Sequence, residues 1–225
     1  MPLLDWSYPL LVATLVQAFA ASVLLILLPL ALSRCRRSLP RAPVALYFLA
    51  IGFAFMFMEI AFIQKFVLFL SHPLYAVAVV LSAFLVFAAA GSWLAGNWQN
   101  PRWRATGKVT PAVTGIGAIS LLYLAMLPGL FQTLIHLPDV AKIIIAVLLI
   151  APLAMCMGVP FPAGMMRLAD TDEQAIPWAW AINGFASVVG AVLATLLAIH
   201  LGFAAVVMLA VLIYAAACTA LRRAA

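Results

Sequence analysis

Glu59 is the side chain best placed to do chemistry. It stands in the run Phe53 to Phe62 with no other charged residue within five positions on either side. An ionised carboxylate inside an apolar helix costs about 3 kcal/mol or more, so Glu59 must be protonated, paired or facing a wet cavity. Gln64 and Lys65 follow at five and six positions, off its helical face. Its partner is therefore expected from another helix: Asn183, Ser187, Ser82 or Gln17, with Ser82 or the helix carrying Asn183 favoured. A functional carboxyl and a structural hydrogen-bond anchor both fit the sequence.

Other polar residues carry weaker signals. The three histidines, His72, His136 and His200, fall at the same-sided ends of apolar runs, next to Pro or Gly, and read as turn residues rather than metal ligands. Asn183 and Ser187 are spaced to hydrogen-bond a neighbouring helix, the usual glue between membrane helices. Cys35, Cys156 and Cys218 form no CxxC pair and map to a reducing side, so no disulfide is expected. There is no Ser-His-Asp set, P-loop, HExxH or GxGxxG. No catalytic residue, metal or cofactor is expected, and the balance is against an enzyme.

These residues are positioned by long apolar runs, over about residues 9–33, 43–70, 74–96, 111–135, 140–159, 178–200 and 202–221. Each is near or above the roughly 20 residues that span about 30 Å of hydrocarbon. The chain is 68% apolar and 8% charged, against about 45–50% and 25% in soluble domains. The expected fold is a single all-α transmembrane bundle over residues 1–225, with seven spans. Ten of the twelve Lys and Arg fall in alternate gaps, leaving only Lys65 and Lys142 on the other side. By the positive-inside rule the N-terminus lies outside and the C-terminus in the cytoplasm, in a bacterial inner membrane. The basic excess is thus topological, and nucleic acid is excluded as a partner.

The gaps are short. Trp93, Trp98 and Trp103 mark residues 97–110 as an interfacial loop, and a short interfacial helix is expected around Ala163–Ala169. Ser71-His72-Pro73, His136 to Asp139, and Gly202 give tight turns, pairing spans two and three, four and five, six and seven. Gly184, Ser187, Gly190 and Ala194 give the sixth span a small-residue strip and mark it as central. A similar strip, Ala88, Gly91 and Ala95, runs along the third.

Four blocks together, over about residues 45–205, resemble a known group. They are Tyr47 to Lys65, Phe69 to Tyr75 with His72, Gly158-Val-Pro160-Phe-Pro162-Ala-Gly164, and Pro177-Trp178-Ala-Trp180-Ala-Ile-Asn183-Gly184. The chain resembles the membrane half of bacterial multi-span spermidine-synthase-like proteins, in which a Rossmann-type aminopropyltransferase domain precedes a similar set of spans. With six acidic residues and no glycine-rich turn, these 225 residues are not expected to hold that domain. The resemblance implies Glu59, Gln64, Lys65, His72 and Asn183 as functional candidates. Gly158, Pro160, Pro162, Gly164, Trp178, Trp180 and Gly184 would be structural. The leading expectation is a non-catalytic membrane subunit or anchor, bound to lipid and to other subunits, an enzyme partner or further copies of itself. The alternative is a transporter or channel for a small metabolite, cationic polyamine-like ones included; a membrane-embedded enzyme ranks third.

The topology is tested by cysteine labelling after the three native cysteines are replaced by serine. Cysteines at His72, Pro138 and Gly202 are expected to react with an impermeant reagent from outside, and those at Arg36, Arg104 and Asp172 to be protected. Outside labelling between Arg102 and Lys108 would invert the orientation.

Overall fold

The computed structural model describes residues 3–32, 40–97 and 106–223, and among these every regular element is helical. Arg34, Cys35, Arg36, Arg37, Trp98, Trp103, Arg102 and Arg104 lie outside the described residues. Helix α1 (Leu3–Ser22) passes through a π turn (Val23–Leu27) into α2 (Leu28–Leu32). There follow α3 (Ala42–Leu70), α4 (Pro73–Asn97), α5 (Thr106–Leu134), α6 (Asp139–Met157), α7 (Pro160–Thr171), a 3-10 turn (Glu173–Ala175) and α8 (Ile176–Arg223). Six of these helical stretches are long and apolar enough to cross a membrane.

Proline and glycine set the boundaries. Pro43, Pro160 and Pro177 sit in first turns, where a missing N–H would have no helical acceptor in any case. Ser71 closes α3 in the left-handed conformation (φ 61°), and Pro73 starts α4. The expected turn after His200 is made by Gly202 alone. α8 has 48 residues, about 72 Å of helix, and Gly202 interrupts it at φ 80°, ψ 170°, a backbone open to glycine. The chain doubles back there. Asn183 and Gly190 pack on Phe48, Gly52, Phe53 and Met56 of α3, and the Phe203 ring lies 5.9 Å from that of Phe62. Beyond it, Leu221 accepts from Arg167 of α7, and Arg222 donates to Thr110 at the start of α5. Both limbs of α8 thus lie along α3 in opposite directions.

The centre of the bundle is α3, not the sixth span. In its most apolar stretch 56% of residues are buried, against 6% in α1. The reason is aromatic volume: Tyr47, Phe48, Phe62, Phe66 and Phe69 are all buried on α3, and such side chains fill space that glycine and alanine cannot. The small-residue strip of α8 is divided between neighbours, Gly190 toward Phe53 and Gly184 toward Ile26 of the π turn.

α4 and α6 cross closely. A Cβ on Gly91 would collide with the Met155 carbonyl, and one on Gly158 with the Ala88 carbonyl. Close backbone approach through small residues supplies van der Waals contact where lipid offers no hydrophobic drive. α4 runs to Asn97, with Trp93 exposed on it, and α5 starts at Thr106, so the expected loop over 97–110 starts where expected and ends earlier. α7 is longer than the expected Ala163–Ala169 segment.

Gly91→Ala is expected to lower stability in detergent by about 1–3 kcal/mol, because main chain cannot yield to the new methyl. Gly96→Ala, on the same helix with no atom within 4 Å of the new Cβ, should be neutral or slightly stabilising. Thermal unfolding of the pair, read side by side, checks the crossing.

Candidate functional site

The site is built on the interruption between α6 and α7. Gly158 ends α6 by donating to the Ala154 carbonyl, and Val159 turns its N–H to Cys156 O at 3.3 Å. Pro160 and Pro162 bring no N–H, so Cys156 and Gly158 lose the donors four residues ahead that a continuous helix would supply. The N-terminus of α7 is poor in donors for the same reason, and the Ala163 N–H is engaged by Val159 O at 3.2 Å. The fully buried Tyr47 of α3 reaches across and donates its hydroxyl to Pro160 O at 2.5 Å. Gly164 leaves room for it, since a Cβ there would strike the Tyr47 ring. Tyr123 of α5 likewise donates to Leu149 O at 2.5 Å, one turn before Pro152.

A cavity of about 570 Å³ opens beside the break. α3 supplies Gly52, Phe55 and Glu59; the break supplies Gly158, Pro160 and Pro162; α8 supplies Trp180, Asn183, Ser187 and Tyr214. The fourth wall is α4, through Leu81, Leu85 and Ser92. Leu85 and Trp180 are 57% and 59% exposed, so the cavity meets the lateral face of the bundle between α4 and α8.

Glu59 is 3% exposed, and its Oε1 has no hydrogen-bond partner among the described residues. The expected polar contact is therefore corrected. Asn183 Nδ2 donates to Phe48 O at 3.1 Å, and Ser187 Oγ to Asn183 O on its own helix at 2.9 Å. Ser82 and Gln17 are exposed elsewhere. Each candidate satisfies a main-chain group or faces outward, which leaves the carboxyl to the cavity.

The sequence candidates divide between this cavity and other places. Glu59, Asn183, Gly158, Pro160, Pro162 and Trp180 come together in the cavity wall. Lys65 leaves it, its Nζ 5.5 Å from the Phe203 ring centre, and Gln64 is half-buried on the same turn. His72 is exposed, its ring edge-on to Tyr75 at 5.6 Å; His136 and His200 are exposed as well. Trp178 is buried away from the cavity, and Gly184 faces Ile26. Among the described residues no three of His, Cys, Asp and Glu gather. The sequence reading missed Ser92 and Tyr214 in the wall, and the role of Tyr47. A tyrosine inside an apolar run was the available signal, because a buried hydroxyl must find an acceptor.

Asn183 commits one amide N–H and Ser187 its hydroxyl to carbonyls, two prolines bring no N–H, and the carboxylate only accepts when ionised; the Ser92 and Tyr214 hydroxyls can donate or accept. The arrangement suits a guest that brings its own N–H or positive charge. No protein-family model, curated protein or solved structure matches the chain.

Tyr47→Phe removes the one side-chain donor to Pro160 O while keeping the ring. It is expected to cost about 1 kcal/mol in detergent, the net worth of one hydrogen bond, because the Pro160 carbonyl keeps its place in the first turn of α7. Tyr75→Phe, on an exposed ring, should leave the melting temperature unchanged.

Proposed function

We propose that this chain is a multi-pass membrane carrier that binds a small amine with an apolar body in the Glu59 cavity. The buried Glu59 carboxyl in the cavity wall, its Oε1 without a hydrogen-bond partner among the described residues, is the observation that carries this reading. Glu59 is the counter-charge, Tyr214, Ser92 and the Asn183 carbonyl are secondary contacts, and the aromatic and aliphatic walls receive the body of the guest. About 570 Å³ is in the range of small-molecule pockets. An interrupted helix beside an ionisable residue is how many carriers build a midplane site. The resemblance to spermidine-synthase-like membrane regions agrees with a polyamine-like guest. The proposed topology is seven crossings, counting each limb of α8 as one, with the N-terminus outside a bacterial inner membrane. In support of this orientation, Arg41, Arg167 and Arg222 lie at one end of the bundle and Lys65 at the other.

A membrane subunit serving a partner enzyme is the second reading. The exposed amide of Gln17 on α1 favours it, because a polar group facing outward from a membrane helix is best satisfied by another chain; the exposed Thr14 on the same helix instead bonds Leu10 O of its own turn. Copurification of a fixed partner in mild detergent would support it.

Alkyl amines and diamines are expected to raise the melting temperature of the purified chain, whereas alcohols and carboxylates of the same length should not. At a concentration of 100 times Kd the stabilisation is about 2.7 kcal/mol. Glu59→Gln keeps the shape, should fold at least as well as wild type, and should lose the amine response and amine uptake into proteoliposomes. An unchanged amine response in Glu59→Gln would remove Glu59 from the site.

A further inference from the structure

A second cavity, of about 390 Å³, lies at the arginine-bearing end of the bundle. It is enclosed by the start of α3, by α7 and by the last turn of α8, and Arg41 and Arg167 are the two cations in its wall. Arg41 precedes the first turn of α3 in an extended conformation (φ −53°, ψ 144°) and is exposed. Arg167 is half-buried, and its Nη1 donates to Leu221 O at 2.8 Å, which fixes the plane of the guanidinium across two helices. Thr171, whose Oγ1 donates to Arg167 O at 3.0 Å, and Asp172 complete the polar rim. Beneath the arginines the wall turns apolar, through Val44, Phe48, Leu168 and Leu221.

Two guanidiniums over an apolar floor match a molecule whose anionic oxygens adjoin a hydrocarbon body. We infer that this groove holds a membrane phospholipid through its phosphate. The phosphate lies between Arg41 and Arg167, and the ester-linked carbons run down along Val44 and Leu168 toward the bilayer. The exposed Arg41 suits this role because its fixed fork meets phosphate oxygens in pairs, and Arg167 adds a second positive charge held in place by Leu221 O. Basic pockets between membrane helices at the cytoplasmic surface take lipid head groups on the same principle. Asp172 tempers the positive charge and leaves room for an amine-bearing head group, so phosphatidylethanolamine and phosphatidylglycerol are both admissible. Free phosphate lacks the chains that would fill the floor.

The site does not depend on the Glu59 cavity, and its test has its own readout. Delipidated full-length protein is titrated in detergent with phosphatidylglycerol, phosphatidylethanolamine, diacylglycerol of matched chains, and inorganic phosphate, and bound lipid is counted by native mass spectrometry. Saturable binding of one phospholipid is expected, with weak binding of diacylglycerol and no competition from millimolar phosphate. Arg41→Gln, which removes no recorded contact within the chain, should weaken phospholipid about fivefold, the effect of one basic residue at a membrane surface. Arg167→Lys keeps charge but loses the guanidinium that Leu221 O holds in place, and should weaken it as well. Amine binding at Glu59 should be untouched in both variants. Wild-type lipid affinity in the double variant Arg41→Gln/Arg167→Lys, or equal binding of diacylglycerol, would overturn the inference. So would competition by free phosphate at the same concentration as lipid, which would mark a soluble-anion site.

Discussion

In hydrocarbon each main-chain carbonyl must find its donor inside the protein, and the break between α6 and α7 is where this chain cannot meet that demand from its own helix. Pro160 and Pro162 remove two N–H groups within three residues. The carbonyls so deprived are those of Cys156, which takes the Val159 N–H instead, and Gly158; the Tyr47 hydroxyl adds a bond to Pro160 O that ties α3 to the start of α7, and that bond decides much else. It requires α3 to pass close enough for a tyrosine to reach, which requires Gly164 opposite the ring. It also fixes where Glu59 sits, because twelve residues further along the same helix is about 18 Å. A helix that anchors the break at one level therefore carries the carboxyl at another, with the cavity along the wall between.

The small residues serve the same end. Gly91 and Gly158 let α4 and α6 touch main chain to main chain, and Gly52 lets α8 bring Asn183 and Ala186 against α3. Those contacts hold α4 and α8 on either flank of α3, with the cavity left between them. Larger residues at these positions would wedge the helices and reshape the cavity. Packing and site are thus coupled through four helices, although Glu59 Oε1 has no hydrogen-bond partner among the described residues.

Much of the architecture was legible in the sequence. The run at 43–70 became Ala42–Leu70, and that at 140–159 became Asp139–Met157, because apolar length and flanking proline are local signals. The blocks around Glu59, Gly158 and Asn183 were recognised separately, and they converge on one cavity. What could not be read was pairwise. That Asn183 would engage Phe48 O rather than Glu59 depends on the rotation of α8 about its axis, which a small-residue strip leaves open. The same strip overstated the centrality of the sixth span, since small residues mark contact and not depth. Gly202 gave a true turn signal, and this one non-helical residue reverses the chain with no further loop residues.

A carboxyl left without a partner lowers stability, and nothing in the packing around Glu59 repays that penalty. An unsatisfied buried polar group costs about 1–3 kcal/mol, and more if it is charged. Methionine at this position would fill similar volume with no polar atom, so a bundle selected for stability alone would favour it. Asn183 and Ser187 sharpen the point. Both were close enough to line the same cavity, yet their donors go to carbonyls and none is turned to the carboxylate. A structural anchor would be expected to have its bond already made. An acceptor kept open in a cavity that reaches the bundle's flank is instead what the proposed amine site requires, and a bound amine would return stability in proportion to its affinity and concentration.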